Sequence, residues 1–401
     1  MKHKAWRWIL AVCGLALLAG AFWIDHGRDQ GSGTEAEAQP PVAPEPQPAP
    51  EEPEAPAAPT GIFGAYEEQA RQVQEGMTLE EKVGQVFFVR CPAPEQLAKV
   101  QALQPGGILL FGRDFKGKDA QQVRAEIQGY QQASAIPLLI GVDEEGGTVC
   151  RVSGNEGLRA ERFPSPRSLY EQGGMAAVEA DVQQKNQLLR SLGIQVNLAP
   201  VADVPRTADD FIYPRAVSTD PQVVAAFVET VVRQSQAGGI GSAMKHFPGY
   251  GDNQDTHTGS AHDTRTLEEL EQVDLLPFQA GIEAGGQSIL VSHNVVDCLE
   301  PGVPASLSPK VHAYLREQMG FTGVIMTDDL AMGAIEAYCG QVPPAVEALN
   351  AGNDLLLVTD LPGNVAALLE GVRQGQVSQQ RLDQAVLRVL EWKIALGLLE
   401  R

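Results

Sequence analysis

Eight short apolar runs, separated by amphipathic segments, are the feature that most restricts how this chain can fold. They lie at residues 83–90, 106–112, 137–143, 194–203, 240–247, 288–296, 323–330 and 354–360. Most are apolar throughout rather than alternating, which is typical of strands buried on both faces. Helical patterns lie between them, for example at 120–134, 221–238 and 266–285, and a further one at 378–399 ends the chain. Eight such units predict a (β/α)₈ barrel, with a doubly wound parallel sheet as the alternative.

Residues 1–24 are predicted to lie outside this fold. Three basic residues precede the apolar run WILAVCGLALLAGAFWI at 8–24. This order indicates either a cleaved export signal or an uncleaved N-terminal membrane anchor. The small residues at 19–21 offer a cleavage site, whereas the apolar residues at 22–24 favour the anchor. In both cases we expect the rest of the chain to be extracytoplasmic, as a membrane-anchored or a secreted protein.

A stretch rich in Pro, Ala and Glu follows at residues 25–60. Such a composition cannot bury a core, and it predicts a disordered spacer. Residues 61–401 then form one catalytic domain. The formal net charge of −21 argues against nucleic acid or an anionic lipid surface as a partner. We expect a monomer that touches a membrane only through its N-terminal segment.

The four cysteines of the predicted domain are Cys91, Cys150, Cys298 and Cys339. They are far apart in the sequence, and no CxxC pair occurs. Export would permit disulfides, but a domain of this size has enough core without them. We predict free thiols.

Polar residues follow the apolar runs where a (β/α)₈ barrel carries its chemistry, at the C-terminal ends of the strands. They are Asp143, Glu144, Glu145, Asp203, Lys245, His246, Ser292, His293, Asn294, Asp328, Asp329 and Asp360. Several carboxylates around one barrel mouth suit either glycoside hydrolysis or metal binding. No HExxH or HxxxH pair is present, and a lysine stands beside His246. We therefore predict no metal and no organic cofactor.

One stretch, KHFPGYGDNQDTH at 245–257, completes a set of motifs together with VDEEGG before it and GVIMTDDLAM after it. In this combination and order the chain resembles the bacterial β-N-acetylhexosaminidases of glycoside hydrolase family 3, over about residues 75–400. The resemblance implies a single (β/α)₈ barrel that acts on terminal β-linked N-acetylglucosamine. It also implies a role in peptidoglycan turnover, which many such family members serve.

The resemblance assigns the catalytic residues. Asp328 matches the family's nucleophile, although the neighbouring Asp329 is chemically as suitable, and either one could instead cap the following helix. His257 matches the acid/base, and Asp255 matches the partner that would fix its tautomer. The alternative for His257 is an exposed loop histidine without a catalytic role.

Five further residues match positions that contact the sugar. Asp143 resembles a hydroxyl-binding aspartate, Arg151 its arginine partner, and Arg215 an arginine that reaches the sugar. Lys245 and His246 would bind hydroxyl groups rigidly at the end of the fifth strand. For Asp143 and the two arginines the alternative is a purely structural ion pair.

These matches predict a retaining exo-β-N-acetylglucosaminidase that cleaves peptidoglycan-derived or related glycans through a covalent glycosyl-enzyme. Two rivals remain open at this point. One is a phosphorylase or transglycosidase that keeps the covalent intermediate but passes the sugar to another acceptor. The other is a catalytically weak, membrane-tethered glycan-binding protein.

Overall fold

Parallel strands arranged in a ring form the centre of the molecule. The computed structural model describes residues 61–251, 261–340 and 343–399, all of which belong to one compact unit spanning 57–401. Each strand of the ring lies within one predicted run. They are β1 (Phe87–Arg90), β2 (Gly107–Leu110), β3 (Leu139–Val142), β4 (Val196–Asn197), β5 (Gly241–Phe247), β6 (Ser288–Val291), β7 (Val324–Thr327) and β8 (Leu356–Val358).

The strand order establishes a barrel rather than a doubly wound sheet. Consecutive strands pair in parallel from β1 to β7, and β8 pairs in parallel with β1, with Phe87 opposite Leu356. β7 and β8 are joined by one parallel bridge, Met326 to Leu355, and by backbone bonds from Thr327 N to Leu355 O at 3.1 Å, from Leu355 N to Ile325 O at 3.1 Å and from Leu330 N to Leu357 O at 2.9 Å. The ring is therefore closed.

Helices surround the ring and cover its amino-terminal face. They are α1 (Glu67–Glu75), α2 (Leu79–Gln85), α3 (Leu97–Ala102), α4 (Gly112–Phe115), α5 (Ala120–Gln132), α6 (Pro166–Leu192), α7 (Pro221–Ala237), α8 (Leu267–Gln272), α9 (Leu275–Glu283), α10 (Pro309–Ala313), α11 (Gly333–Cys339), α12 (Ala345–Ala351), α13 (Leu361–Arg373) and α14 (Gln379–Ala395). A π-helical turn, Tyr314–Gln318, extends α10. Two short pairs stand apart from the ring: Glu144–Gly146 with Val149–Cys150, and His262–Asp263 with Val295–Val296.

Local sequence explains where the long helices begin. Ser165 caps α6 and Asp220 caps α7, and in both helices a proline occupies the first turn, where its missing N–H is not needed. The side chain of Ser378 caps α14. Within α6 the chain kinks at Gly174, whose φ of 60° is a conformation that favours glycine.

Two predicted elements differ from those observed. The helical pattern at 266–285 is divided into α8 and α9. The division falls at Asp274, whose buried carboxylate accepts from Arg265 Nη1 at 2.5 Å, so this turn serves an ion pair instead of continuing the helix. The fourth run, 194–203, contributes only two residues to β4 because Pro200 has no N–H to donate to the ladder.

The barrel interior is filled by apolar side chains from most of the strands. At its amino-terminal end Phe63 and Trp392 close the interior, and Trp392 Nε1 donates to Gln287 Oε1 at 3.1 Å. Helix α14, which carries Trp392, packs against α1 and α2. The amino-terminal end of the barrel interior is thus closed, and the polar cavity lined by Asp143 and Asp328 opens at the opposite end.

The four cysteines at 91, 150, 298 and 339 are free thiols, as predicted. Burial raises the pKa of Cys91 to about 12, so this thiol is unreactive as a nucleophile at neutral pH. No helix within the described ranges has both the length and the apolar character needed to cross a membrane. The apolar run at 8–24 and the predicted spacer at 25–60 lie outside those ranges.

Lys393 is fully buried in α14, where its Nζ donates to Gln85 Oε1 at 2.6 Å. Burial lowers its pKa to about 7. Between pH 7 and 9 the unfolded chain therefore holds a proton that the folded chain has released, so the free energy of unfolding should rise with pH. We expect Lys393→Met to lose this component, which amounts to at most about 1.4 kcal/mol per pH unit.

Urea denaturation at several pH values measures this difference in slope. The exposed Lys99→Met is the matched control, and its profile should run parallel to that of the wild type. Parallel profiles for Lys393→Met and the wild type would show that Lys393 stays protonated in the fold.

Candidate active site

A cavity of about 580 Å³ opens at the carboxyl ends of the strands. Its size is that of a small-molecule site. Its polar and charged lining residues come from β1 and β5 or from the loops that follow β3, β4 and β7. They are Arg90, Asp143, Glu145, Arg151, Arg215, Lys245, His246, Asp328 and Asp329. All six predicted site residues that the structure describes are among them, namely Asp143, Arg151, Arg215, Lys245, His246 and Asp328.

Glu145 is the centre of the ionic network on one side of this cavity. Its Oε1 lies 2.6 Å from Lys245 Nζ, and Arg215 contacts both carboxylate oxygens, at 2.8 and 2.9 Å. Lys245 Nζ also lies 2.6 Å from Asp143 Oδ1. Asp143 and Arg215 are therefore in ion pairs, but these pairs line the cavity, so a structural role and a ligand contact are compatible.

Burial and charge act in opposition on this network. Burial alone would raise the pKa of Glu145, but the charges of Lys245 and Arg215 outweigh it and hold the pKa well below its usual range. Burial likewise opposes the charge on Lys245, whereas Asp143 and Glu145 outweigh it and raise the pKa of the amine. Glu145, Lys245 and Arg215 are therefore ionised at neutral pH. Neither Glu145 nor Lys245 is suited to exchange protons during catalysis.

The hydrogen bonds of His246 define its tautomer. Its Nε2 lies 3.2 Å from Arg215 Nη2, and its Nδ1 lies 2.7 Å from Asp203 Oδ2. Because an arginine side chain can only donate, Nε2 accepts, and Nδ1 must carry the proton and donate it to Asp203. The second oxygen of Asp203 accepts from Tyr250 N at 2.8 Å. His246 is thus a neutral residue whose ring orientation is fixed.

The two aspartates that follow β7 have different surroundings. Asp329 Oδ1 accepts from Ala331 N at 3.0 Å, and its Oδ2 lies 3.2 Å from Thr359 Oγ1 and 3.5 Å from Arg90 Nη1. Burial, together with the charge of Asp328, raises the pKa of Asp329. Asp328 is half-buried, and its Oδ1 accepts from Asp329 N at 2.7 Å. The turn-capping role belongs to Asp329.

Arg151 lines the cavity beside Arg90 and the Phe111 ring. The guanidinium of Arg90 stacks 4.3 Å from the centre of the Phe111 ring, and that of Arg151 lies 5.7 Å from it. The buried Nε of Arg151 has no hydrogen-bond partner among the described residues. Its backbone N–H donates to Asp143 O at 3.2 Å, but the two side chains are not paired. The expected pairing of Asp143 with Arg151 is replaced by Asp143 with Lys245.

A short hairpin, Glu144–Gly146 with Val149–Cys150, holds Glu145 in place. Glu144 points away from the cavity, where it accepts from Val152 N at 2.6 Å and from the Ser153 hydroxyl. At Gly146 φ is 106°, and a Cβ would lie 2.2 Å from Pro164 O, so only glycine fits this turn.

The remaining polar strand ends are structural or lie outside the described residues. His293 is buried and bonds Ser306 Oγ at 2.7 Å, and Asn294 is buried and donates to Gly249 O at 3.2 Å. Asp360 caps α13 by accepting from Gly363 N at 3.2 Å. Asp255 and His257 lie outside the described residues. Within the described part, no three His, Cys, Asp or Glu side chains converge as metal ligands.

Three residues of the site had no predicted role, Arg90, Glu145 and Asp203. Their positions at strand ends were visible in the sequence. Their roles follow only from partners that are far away in the chain: Arg215 and Lys245 for Glu145, and His246 for Asp203. No local pattern encodes such pairings.

Comparison with known proteins agrees with this geometry. A model of the glycosyl hydrolase family 3 N-terminal domain matches residues 78–392. A β-hexosaminidase of Xanthomonas oryzae pv. oryzae is 38% identical over 298 residues, covering 73% of this chain and 85% of that protein. Another, of Stenotrophomonas maltophilia, is 39% identical over 259 residues, covering 63% of this chain and 75% of that protein.

Solved structures with this fold include two with related activities. A glycoside hydrolase family 3 β-N-acetylglucosaminidase from a Paenibacillus species matches with a TM-score of 0.76 and 30% identity, covering 80% of this chain. This chain spans only 63% of that structure. A β-N-acetylhexosaminidase from Beutenbergia cavernae matches with a TM-score of 0.71 and 27% identity, covering 79% of this chain and 98% of that one.

Glu145→Gln tests whether the network depends on one carboxylate. The change removes the negative charge that Glu145 places beside the largely buried cations Lys245 and Arg215. We expect it to lower the free energy of unfolding by about 3–5 kcal/mol. Denaturant unfolding is the measurement, with the exposed Glu283→Gln as control, expected within about 0.5 kcal/mol of the wild type. An equally small effect of Glu145→Gln would contradict the central role of Glu145.

Proposed function

The chain belongs to glycosyl hydrolase family 3, and from this membership and the cavity we propose that it is a retaining exo-β-N-acetylglucosaminidase. It is a glycoside hydrolase, and relatives of the β-hexosaminidase type are 38–39% identical to it. The observation that carries the proposal is Asp328. Asp328 and the adjacent Asp329 both line the cavity, but it is Asp329 whose oxygens cap the turn and bind Thr359.

Asp328 is suited to attack an anomeric carbon. The backbone N–H of Asp329 donates to its Oδ1 at 2.7 Å, which helps to fix the plane of the carboxylate. A carboxylate forms a glycosyl ester that can be hydrolysed again, as a two-step retaining reaction requires. In the first step Asp328 bonds the anomeric carbon while the glycosidic C–O bond breaks.

His257 is proposed as the acid and base of the two steps, with Asp255 fixing its tautomer. The imidazolium gives its proton to the leaving oxygen in the first step. In the second, the neutral ring takes a proton from water, whose oxygen bonds the anomeric carbon and releases Asp328. A histidine with a pKa near 6.5 can serve both steps near neutral pH. Support for these two residues comes from their sequence motif, since both lie outside the described residues.

The ionic network is proposed to bind the hydroxyl groups of the sugar. Asp143 and Lys245 present a paired carboxylate and ammonium at 2.6 Å, an arrangement that can accept from one hydroxyl and donate to another. Arg215 and Arg151 add donors. His246 keeps Arg215 in place through its Nε2. Because the network is already ionised and hydrogen-bonded, little reorganisation is needed when the sugar binds.

We further propose that the natural glycans are peptidoglycan fragments, met outside the cytoplasm. The proposal depends on the motif resemblance and on the apolar run at 8–24, which indicates export. Cell fractionation of the full chain against a variant lacking residues 1–24 tests the location. Recovery of both forms in the cytoplasm would overturn it.

The two rival functions gain no support from these observations. A β-glucoside phosphorylase shares the fold at 24% identity, which is evidence for the fold alone. A binding protein without catalysis would not need Asp328 at the cavity wall, and the curated relatives described above are named as enzymes.

Substituting the two adjacent aspartates in parallel tests the nucleophile. We expect Asp328→Asn to lower kcat on 4-nitrophenyl β-N-acetylglucosaminide by about 10⁴-fold or more. Asp329→Asn should retain most of the activity and its turn cap, because the asparagine Oδ1 can still accept from Ala331 N. Proton NMR of the first-formed sugar from the wild-type enzyme should show the β-anomer.

Each part of this experiment can fail separately. An inactive Asp329→Asn beside an active Asp328→Asn would exchange the two roles. A first-formed α-anomer would exclude the retaining mechanism.

The acid role of His257 predicts a dependence on the leaving group. We expect His257→Gln to reduce kcat/KM far more for methyl β-N-acetylglucosaminide, whose leaving group needs a proton, than for the 4-nitrophenyl glycoside. The two losses should differ by about 10²-fold, as for a general acid. Replacement of His262, an exposed histidine nearby in the sequence, is the control. Equal losses on both substrates would remove His257 from the acid role.

A further inference from the structure

A second groove adjoins the catalytic cavity and has no part in the reaction described above. Its volume is about 460 Å³. It lies between α11 and the start of α13, and it shares Ala331 with the catalytic cavity. Ala331 is three residues beyond Asp328 on the loop after β7. A ligand atom that leaves the catalytic cavity past Ala331 therefore enters this groove.

The floor of the groove is apolar and its polar groups are acceptors. Leu330 and Ile335 are buried and line it. Glu336 and Asp360 contribute carboxylates, and no lysine or arginine of the described chain lines it. One oxygen of Asp360 already accepts from Gly363 N. No described residue donates to or pairs with the Glu336 carboxylate.

Asn364 supplies an independent indication of a ligand. This residue lines the groove and is only 8% exposed. Its Nδ2 donates to Asp360 O at 2.8 Å, whereas its buried Oδ1 has no hydrogen-bond partner among the described residues. A buried acceptor without a donor is costly, which is why such groups in proteins are nearly always satisfied.

The hydroxyl and thiol groups of the groove also offer it no hydrogen-bond donor. The hydroxyl of Thr359 lies 3.2 Å from Asp329 Oδ2, and the thiol of Cys339 lies 3.6 Å from Glu347 Oε2, so each donates away from the groove. A complementary ligand must therefore bring donors and positive charge. An ammonium group has three donors and no acceptor.

We propose that this groove is the subsite for the leaving group, and that it selects aglycones carrying an ammonium group next to an apolar or sugar-sized body. The inference rests on the proposed function, because it takes Asp328 as the site of bond cleavage. It adds a substrate class: β-N-acetylglucosaminides of an amino sugar or of another amine-bearing residue.

Two disaccharides that differ at one position provide the test. In both, N-acetylglucosamine is β-1,4-linked to a second sugar, which is N-acetylglucosamine in one and glucosamine in the other. At a pH that keeps the amine protonated, we expect the wild type to favour the glucosamine compound in kcat/KM. Glu336→Gln should reduce this preference about three- to fivefold, the effect of one partly exposed charge pair.

The control and the salt dependence sharpen the result. Glu370→Gln removes one charge from an exposed position further along α13 and should keep the wild-type preference. Added salt should weaken the preference of the wild type, since the pair is solvent-accessible. A wild type without preference, or a Glu336→Gln variant that retains it in full, would overturn the proposal. So would failure to cleave either disaccharide while the 4-nitrophenyl glycoside is hydrolysed.

A binding measurement separates this proposal from the catalytic one. Calorimetric titration of glucosamine into the wild type and Glu336→Gln requires no hydrolysis. Weaker binding to the variant would support the groove even if no glycoside were cleaved, in which case the proposed function alone would fail. Equal binding to both proteins would reject the groove as an ammonium site.

Discussion

The open end of the barrel depends on the ion pairs that the Glu145 carboxylate forms. It joins Lys245 at the end of β5 to Arg215 in the loop before α7, while its own backbone follows β3. Its carbonyl oxygen accepts from Lys185 Nζ at 2.8 Å, and Lys185 is paired with Asp181 at 2.6 Å on the same helix. Three neighbouring strand ends and α6 are thus connected through one residue, which explains how so many charges can be buried together.

This network divides the site into two parts with different physical character. On the side of β3 to β5 the groups are ionised, hydrogen-bonded to one another and fixed in orientation, which suits the recognition of a neutral sugar. On the side of β7 two carboxylates, Asp328 and Asp329, stand next to each other directly after the strand. The proposed chemistry takes place on this second side, where burial raises the pKa of Asp329 and Asp328 is the proposed nucleophile.

The sequence was sufficient for the architecture because the barrel depends on patterns that repeat locally. The eight apolar runs, helix caps such as Ser165 and the polar residues at the ends of six of the runs can all be recognised from neighbouring positions. The division of 266–285 was missed because it depends on a buried pair, Arg265 with Asp274, that no periodicity reveals. The alternatives for Asp328 and Asp329 were likewise separable only by their contacts, and Glu145 looked like any other acidic residue of its motif.

The sealed amino-terminal face has a consequence for how the barrel responds to force. Ile62 N donates to Thr322 Oγ1 at 3.1 Å, just before β7 begins, and α14 packs beside α1. Both ends of the described domain therefore leave from the face opposite the cavity. Tension applied through either end reaches first the plug formed by Phe63 and Trp392 and only afterwards the strand ends that hold the ligand groups. A barrel that is pulled from its closed end can therefore keep the strand ends of the cavity in place while Phe63 and Trp392 resist the pull.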